Sequence, residues 1–254
     1  MYIVKHWISR IAPAVAATVL VLNLSVAHAI QINATTTFDD AFSFGPTNGS
    51  FSLTSGGTLT TATYSGSTAS ANPLAGPLTD NFDGTGFDGT ASANSDVFQI
   101  GFDTVVSVFN DEAVVKEVKF RLDYSNMVNA DGPDAYADSS LELFDSLNVN
   151  PIFFSDLKSD TLFGDQNGVN LTGGFGDVLM ESGAVIFTYL LNPSETVDLT
   201  MSWTLEGEDV SGLAGDLAEA SLSANLTVVP LPGALLFMVS GMLLFPLQRL
   251  LRKK

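Results

Sequence analysis

Asp80, Asp83 and Asp88 fall within nine residues, in a stretch where Phe82-Asp83-Gly84-Thr85 recurs as Phe87-Asp88-Gly89-Thr90. Calcium takes about six to eight oxygen ligands, and carboxylates clustered on a glycine-bearing loop can supply them. These three aspartates are therefore the candidate metal ligands, for calcium. The spacing is not that of an EF-hand loop, and Asp-Gly is also ordinary turn chemistry. Asp131-Gly132-Pro133-Asp134-Ala135-Tyr136-Ala137-Asp138 has the same look, and Asp165-Gln166-Asn167-Gly168 has it more faintly.

Other chemistry is limited by what is missing. The chain has no cysteine, and its two histidines, His6 and His28, both precede residue 30. From residue 30 onward there is no thiolate, no imidazole, and so no zinc or copper site of the usual kind, no Ser-His-Asp triad and no Cys-His pair. A glycoside hydrolase survives this filter, because two carboxylates suffice for it. No motif picks out such a pair, and no catalytic residue is assigned. For sugar binding an exposed aromatic face is needed. Tyr136, in its acidic loop, is the candidate, whereas Trp203 lies on the apolar side of an alternating segment and is expected in the core.

Charge narrows the partners. All 28 acidic residues lie between Asp39 and Glu219, a span that holds four basic residues, Lys116, Lys119, Arg121 and Lys158, for a net of -24. Such a surface repels phosphate backbones, so nucleic acid is not an expected partner.

The elements that must position these groups read as strands. Val118, Phe120, Leu122 and Tyr124 alternate with charged residues, and Val197, Leu199, Met201, Trp203 and Leu205 alternate with polar ones. Ala220, Leu222, Ala224, Leu226 and Val228 repeat the pattern. Side chains along a strand point to opposite faces in turn, so each segment has one buried and one wet face. Further strands are expected at Phe51–Leu53, Thr58–Tyr64, Val97–Phe109, Leu141–Leu147 and Val185–Leu191. Gly, Ser, Asn and Asp clusters between them supply turns. The expected fold is all-β: an antiparallel, jelly-roll-like β-sandwich over residues 30–228. Thr54–Thr90, poor in charge and rich in Gly, Ser, Thr and Ala, is expected as a long loop, and Leu213–Glu219 as a short helical turn.

The two ends carry addresses. Lys5, His6 and Arg10 precede an uncharged run from Ile11 to Val26, and Ala27-His28-Ala29 offers the small residues that signal peptidase reads. Residues 1–29 are expected to be a signal peptide cut before Ile30. At the other end, Val229-Pro230-Leu231-Pro232-Gly233-Ala234 opens an uncharged run to Leu247, followed by Arg249, Arg252, Lys253 and Lys254. As a helix, residues 231–247 would rise about 25 Å, near the lower limit for a bilayer. The basic tail would then stop transfer and stay in the cytoplasm. Pro230 and Pro232 hold the backbone extended ahead of that helix.

A two-proline motif, a hydrophobic helix and a basic cluster, in that order, resemble the PEP-CTERM sorting domain. Residues 229–234 look like its VPLPA variant, with a glycine before the alanine, and Phe237, Ser240 and Gly241 fit the pattern. The resemblance covers residues 229–254. It implies a Gram-negative source, an exosortase that processes the chain near the motif, transient anchoring in the inner membrane, and delivery to the cell surface or matrix, in association with exopolysaccharide or biofilm. Many proteins with this signal carry a β-sandwich. The function expected for residues 30–228 is a non-enzymatic structural or adhesive element. The alternatives are a calcium-dependent carbohydrate-binding module and a secreted carboxylate-type glycoside hydrolase.

Overall fold

The computed structural model describes residues 30–38, 48–55, 58–65, 78–81, 85–93, 97–146, 150–211, 213 and 215–229. The segments expected to be the signal peptide, the membrane helix and the basic tail lie outside these residues, as do Asp83 and Pro230–Ala234. Among the described residues no helix is long and apolar enough to cross a membrane.

The described residues form strands and no helix. In chain order the strands are β1 (Gln31–Phe38), β2 (Asn48–Ser55), β3 (Thr58–Ser65), β4 (Leu78–Asn81), β5 (Thr85–Ala93), β6 (Val97–Phe109) and β7 (Lys116–Asp131). They continue as β8 (Ala135–Asp145), β9 (Phe153–Asp160), β10 (Gln166–Asn167), β11 (Asn170–Leu171), β12 (Leu179–Leu191), β13 (Thr196–Asp209) and β14 (Leu217–Val228). An eight-stranded sheet runs β11-β10-β9-β8-β13-β6-β1-β4, and a six-stranded sheet runs β12-β7-β14-β5-β2-β3. The pairings are antiparallel throughout.

Alternation is what sorts the side chains. On β13, Val197, Leu199, Met201, Trp203 and Leu205 are all buried, while the residues between them reach the outward face. Phe120 and Leu122 of β7 and Ala220, Leu222, Ala224 and Leu226 of β14 face them from the other sheet in one shared core. Trp203, 1% exposed, stands in register between Phe102 and Leu141. Removing its indole by Trp203→Ala would cost about 3–5 kcal/mol, the usual loss for a buried aromatic. Ile30 and Ile32 pack against the edge of the core, so the sheet begins where the expected signal peptide ends.

Three expectations need correction. Thr54–Thr90 is not one long loop: besides the expected strand at Thr58–Tyr64, present as β3, it holds β4 and the start of β5. Their Ser, Thr and Gly residues lack an apolar alternation, and the ladder hydrogen bonds to neighbouring strands hold them instead. No helical turn spans Leu213–Glu219, because β14 already begins at Leu217 and pairs with both β5 and β7. The acidic segment Asp131–Asp138 is mostly strand: Asp131 closes β7, β8 opens at Ala135, and the turn shrinks to residues 132–134.

Candidate functional site

The candidate calcium ligands are placed apart by the backbone. Asp80 lies in β4, opposite Ala34 of β1 in the eight-stranded sheet. Asp88 lies in β5, between Ser52 of β2 and Ser223 of β14 in the six-stranded sheet. Asp88-Gly89 is thus mid-strand rather than a turn, and Asp83 is outside the described residues. Among the described residues, no group of three or more His, Cys, Asp or Glu side chains is placed to hold a metal ion.

Asp165 has a different task. Its carboxylate is fully buried (0% exposed) and accepts hydrogen bonds from the backbone N–H groups of Asp160 (2.8 Å), Gly176 (2.7 Å) and Asp177 (2.8 Å). Three donors in a dry site make the charge a fastener for the 160–177 connection. Asp160 works alongside it. Its Oδ1 accepts the N–H groups of Leu162 (2.9 Å) and Phe163 (2.8 Å), and its Oδ2 lies 3.2 Å from Lys158 Nζ. Burial pushes the Asp160 carboxyl up, but these two N–H groups and the Lys158 ammonium outweigh it, and its pKa falls below the usual carboxylate value. The bend also needs Gly174, where a Cβ would lie 2.1 Å from Asp177 Oδ2 and 2.7 Å from Asp165 Oδ2.

The groups that do converge lie on the outward face of the eight-stranded sheet, in rows that cross β9, β8, β13 and β6. One row reads Lys158, Asp138, Glu206, Gln99. The next reads Asp156, Ser140, Thr204, Gly101, and on the other side Asp160, Tyr136, Glu208, Val97. Gln99 Nε2 donates to Glu206 Oε2 at 3.0 Å, and the Ser140 and Thr204 hydroxyls are 2.5 Å apart. Lys158 Nζ sits 5.2 Å from the centre of the Tyr136 ring.

The electrostatics of this face are unfavourable to ionisation. Burial, then the charges of Asp156 and Glu206, push Asp138 up to about 7 against the pull of Lys158. Burial, partly offset by Lys158, also raises Asp156. Burial and then Glu206, Glu208, Asp138 and Asp160 push the Tyr136 phenol up to about 12. Tyr136 therefore keeps its proton and can act as a hydrogen-bond donor. A carboxyl held protonated near neutrality beside a second carboxylate is also what acid–base chemistry uses. Here both carboxyls stand mid-strand on the outward side of a sheet.

Tyr136 and Asp138 were legible as candidates in the acidic segment, but Asp156, Lys158, Glu206 and Glu208 were not. The signal that could have found them is the acidic residues on the polar side of three alternating segments: Asp156 and Asp160, Asp138, and Glu206 with Glu208.

No family model matches the chain, and no curated protein matches it. Among solved structures, a β-glucosidase from Kluyveromyces marxianus in complex with glucose aligns at 14% identity with a TM-score of 0.21, over 52% of this chain and 11% of that one. An infectious bursal disease virus Gx strain structure aligns at 11% identity and TM-score 0.22, over 80% and 56%. The Eiger TNF of S. frugiperda aligns at 8% identity and TM-score 0.18, over 48% and 66%. The chain spans about a tenth of the length of the β-glucosidase. Likenesses this slight carry no argument about fold or activity.

Proposed function

We propose that the chain is an exported surface or matrix protein whose jelly-roll-like β-sandwich, residues 30–228, is a non-enzymatic structural or adhesive element among extracellular polysaccharides. The observation that carries this reading is the outward face of the eight-stranded sheet. Carboxylates, hydroxyls, an amide and the Tyr136 ring are set level across four strands, a match for an extended polyhydroxylated chain laid over them. Aromatic and hydrogen-bonding groups together are what a sugar surface requires.

Residues 1–29 direct export, and signal peptidase releases Ile30. A helix over 231–247 holds the chain in the inner membrane until an exosortase acts at Val229–Ala234. The sorting reading rests on the sequence pattern. Strand pairing of β14 runs to Val228, and the Val229 N–H still donates to Lys119 O of β7 at 2.8 Å. A calcium-dependent carbohydrate-binding module is the second reading; it would draw on Asp83 and Asp88 of the repeat, since Asp80 stands in the other sheet.

A glycan array probed with the exported protein, with and without calcium, tests the function. The expected result is retention on neutral polysaccharide that Tyr136→Ala weakens. No retention on any glycan would sink the adhesive reading. Cleavage of a glycan, abolished by Asp138→Asn, would replace it with a hydrolase. Loss of binding on chelation, reproduced by Asp83→Asn with Asp88→Asn, would select the calcium form. For sorting, Pro230→Ala with Pro232→Ala should insert normally and fail to mature. Maturation at the wild-type rate would leave a plain anchor.

A further inference from the structure

Among the described residues β12 pairs with β7 and with no other strand, so it forms one edge of the six-stranded sheet. Edge strands of monomeric proteins are usually blunted by a lysine, a proline, a bulge or shortness. β12 has none of these over most of its length. It runs for 13 residues. Its register with β7 is continuous from Leu179 to Leu191. It contains no proline, and from Ser182 to Leu191 it carries no charge. Its outward row leaves Met180 72%, Ile186 54% and Leu190 68% exposed, and its inward row, Val185, Phe187 and Tyr189, is half-buried.

We propose that this edge pairs antiparallel with the same edge of a second copy, about a two-fold axis through Ile186. The charge distribution selects the occupant. Two copies that each carry a net of -24 between residues 39 and 219 repel one another over most approaches. Along 182–190 they meet without any charge facing another. In this register Ile186 meets its own copy, Val185 meets Phe187, Ala184 meets Thr188, Gly183 meets Tyr189 and Ser182 meets Leu190. A two-fold contact of this kind is closed and self-complementary. The outcome is one sheet continuous through both copies, with the outward faces of the two eight-stranded sheets left free. The inference does not depend on what those faces bind.

The test uses the exported protein with its C-terminal segment, in detergent, by sedimentation equilibrium. Wild type should show a monomer–dimer equilibrium. Ala184→Lys with Thr188→Lys places like charges opposite one another across the axis and should weaken the dimer by about 100-fold. Ala184→Lys with Thr188→Glu places opposite charges there and should restore it to within about tenfold of wild type. Both positions are exposed, and in register with β7 they face Asp123 and Lys119, so the rescue pair suits the monomer as well. Thermal melts of each variant confirm that the monomer is folded. Because the chain has no cysteine, Ile186→Cys can cross-link to its own copy alone. It should do so rapidly under mild oxidation, whereas Val169→Cys, at a residue 95% exposed, should not. A wild type that stays monomeric overturns the proposal. So does a dimer indifferent to paired lysines, or an Ile186→Cys that cross-links no faster than Val169→Cys.

Discussion

Asp165, in the connection after β9, is fully buried, whereas Asp138, on the outward face of β8, is half-buried. Around Asp165 the backbone supplies three N–H donors within 2.8 Å. Around Asp138 the sheet register supplies Glu206 on one side and Lys158 on the other, with Asp156 diagonal. At Asp138 burial disfavours the charge. What differs is whether donors converge on the anion or other anions do. The first arrangement turns a carboxylate into a structural pin, whereas the second makes it hold a proton near neutral pH.

Deleting the pin should give the largest effect. Asp165→Ala leaves three buried N–H groups without their acceptor and should cost about 3–5 kcal/mol, measured by denaturant unfolding. A loss under about 1 kcal/mol would mean that the 160–177 connection is held by something else.

The next effect has the opposite sign. Asp138 is raised from 3.8 to about 7 in the folded chain. Between those values the folded state binds more protons than the unfolded one, so the stability this group contributes is full below 3.8 and drains away as pH rises through about 7. Asp138→Asn should therefore stabilise the protein at pH 8 by about 1–3 kcal/mol, with little gain at pH 4. Melts across that range should show a flatter profile for the variant, and a parallel one would dissolve the contrast with Asp165.

Asp160 provides the internal control, because its pKa is lowered rather than raised. Its contribution is present above the unfolded value and is lost as pH falls through the folded one. Asp160→Asn keeps an oxygen for the Leu162 and Phe163 N–H groups and forfeits the charge, so it should cost about 1 kcal/mol at pH 7 and nothing at low pH. The smallest effect is screening. Raising ionic strength from about 10 mM to about 150 mM shortens the Debye length from about 30 Å to about 8 Å. That should stabilise the wild type by a few tenths of a kcal/mol, by the roughly surface-pair scale. Asp138→Asn with Glu206→Gln should respond less, and Asp165→Ala as much as wild type.

The pattern of legibility follows the same physics. Segments with strict apolar alternation announced their strands, and Val97–Phe109 was bounded as β6 is. Trp203 was placed in the core because its strand period left it one face. β5 was missed because Gly, Ser, Thr and Asp show no buried face in the sequence, and its strand state comes from β2 and β14 on either side. The Asp138 face was missed for a related reason. Asp138, Asp156 and Glu206 are neighbours by sheet register, which depends on strand order, and strand order is not written in any local pattern. Asp165 resembled a turn aspartate because its donors, at Asp160, Gly176 and Asp177, are brought to it by the folding of a whole connection.

The position of β14 has a mechanical consequence. It lies inside the six-stranded sheet, paired with β5 on one side and with β7 on the other, and it delivers the chain to Val229. Ladder hydrogen bonds in an antiparallel sheet run perpendicular to the strands. A tether pulling at Val229 along the strand would therefore load both ladders in shear at once, instead of peeling them open bond by bond. If the opposite sheet is gripping an external polymer, tension would pass from that face through the Trp203 core and into β14. A domain strung this way would yield at one high threshold rather than by gradual fraying.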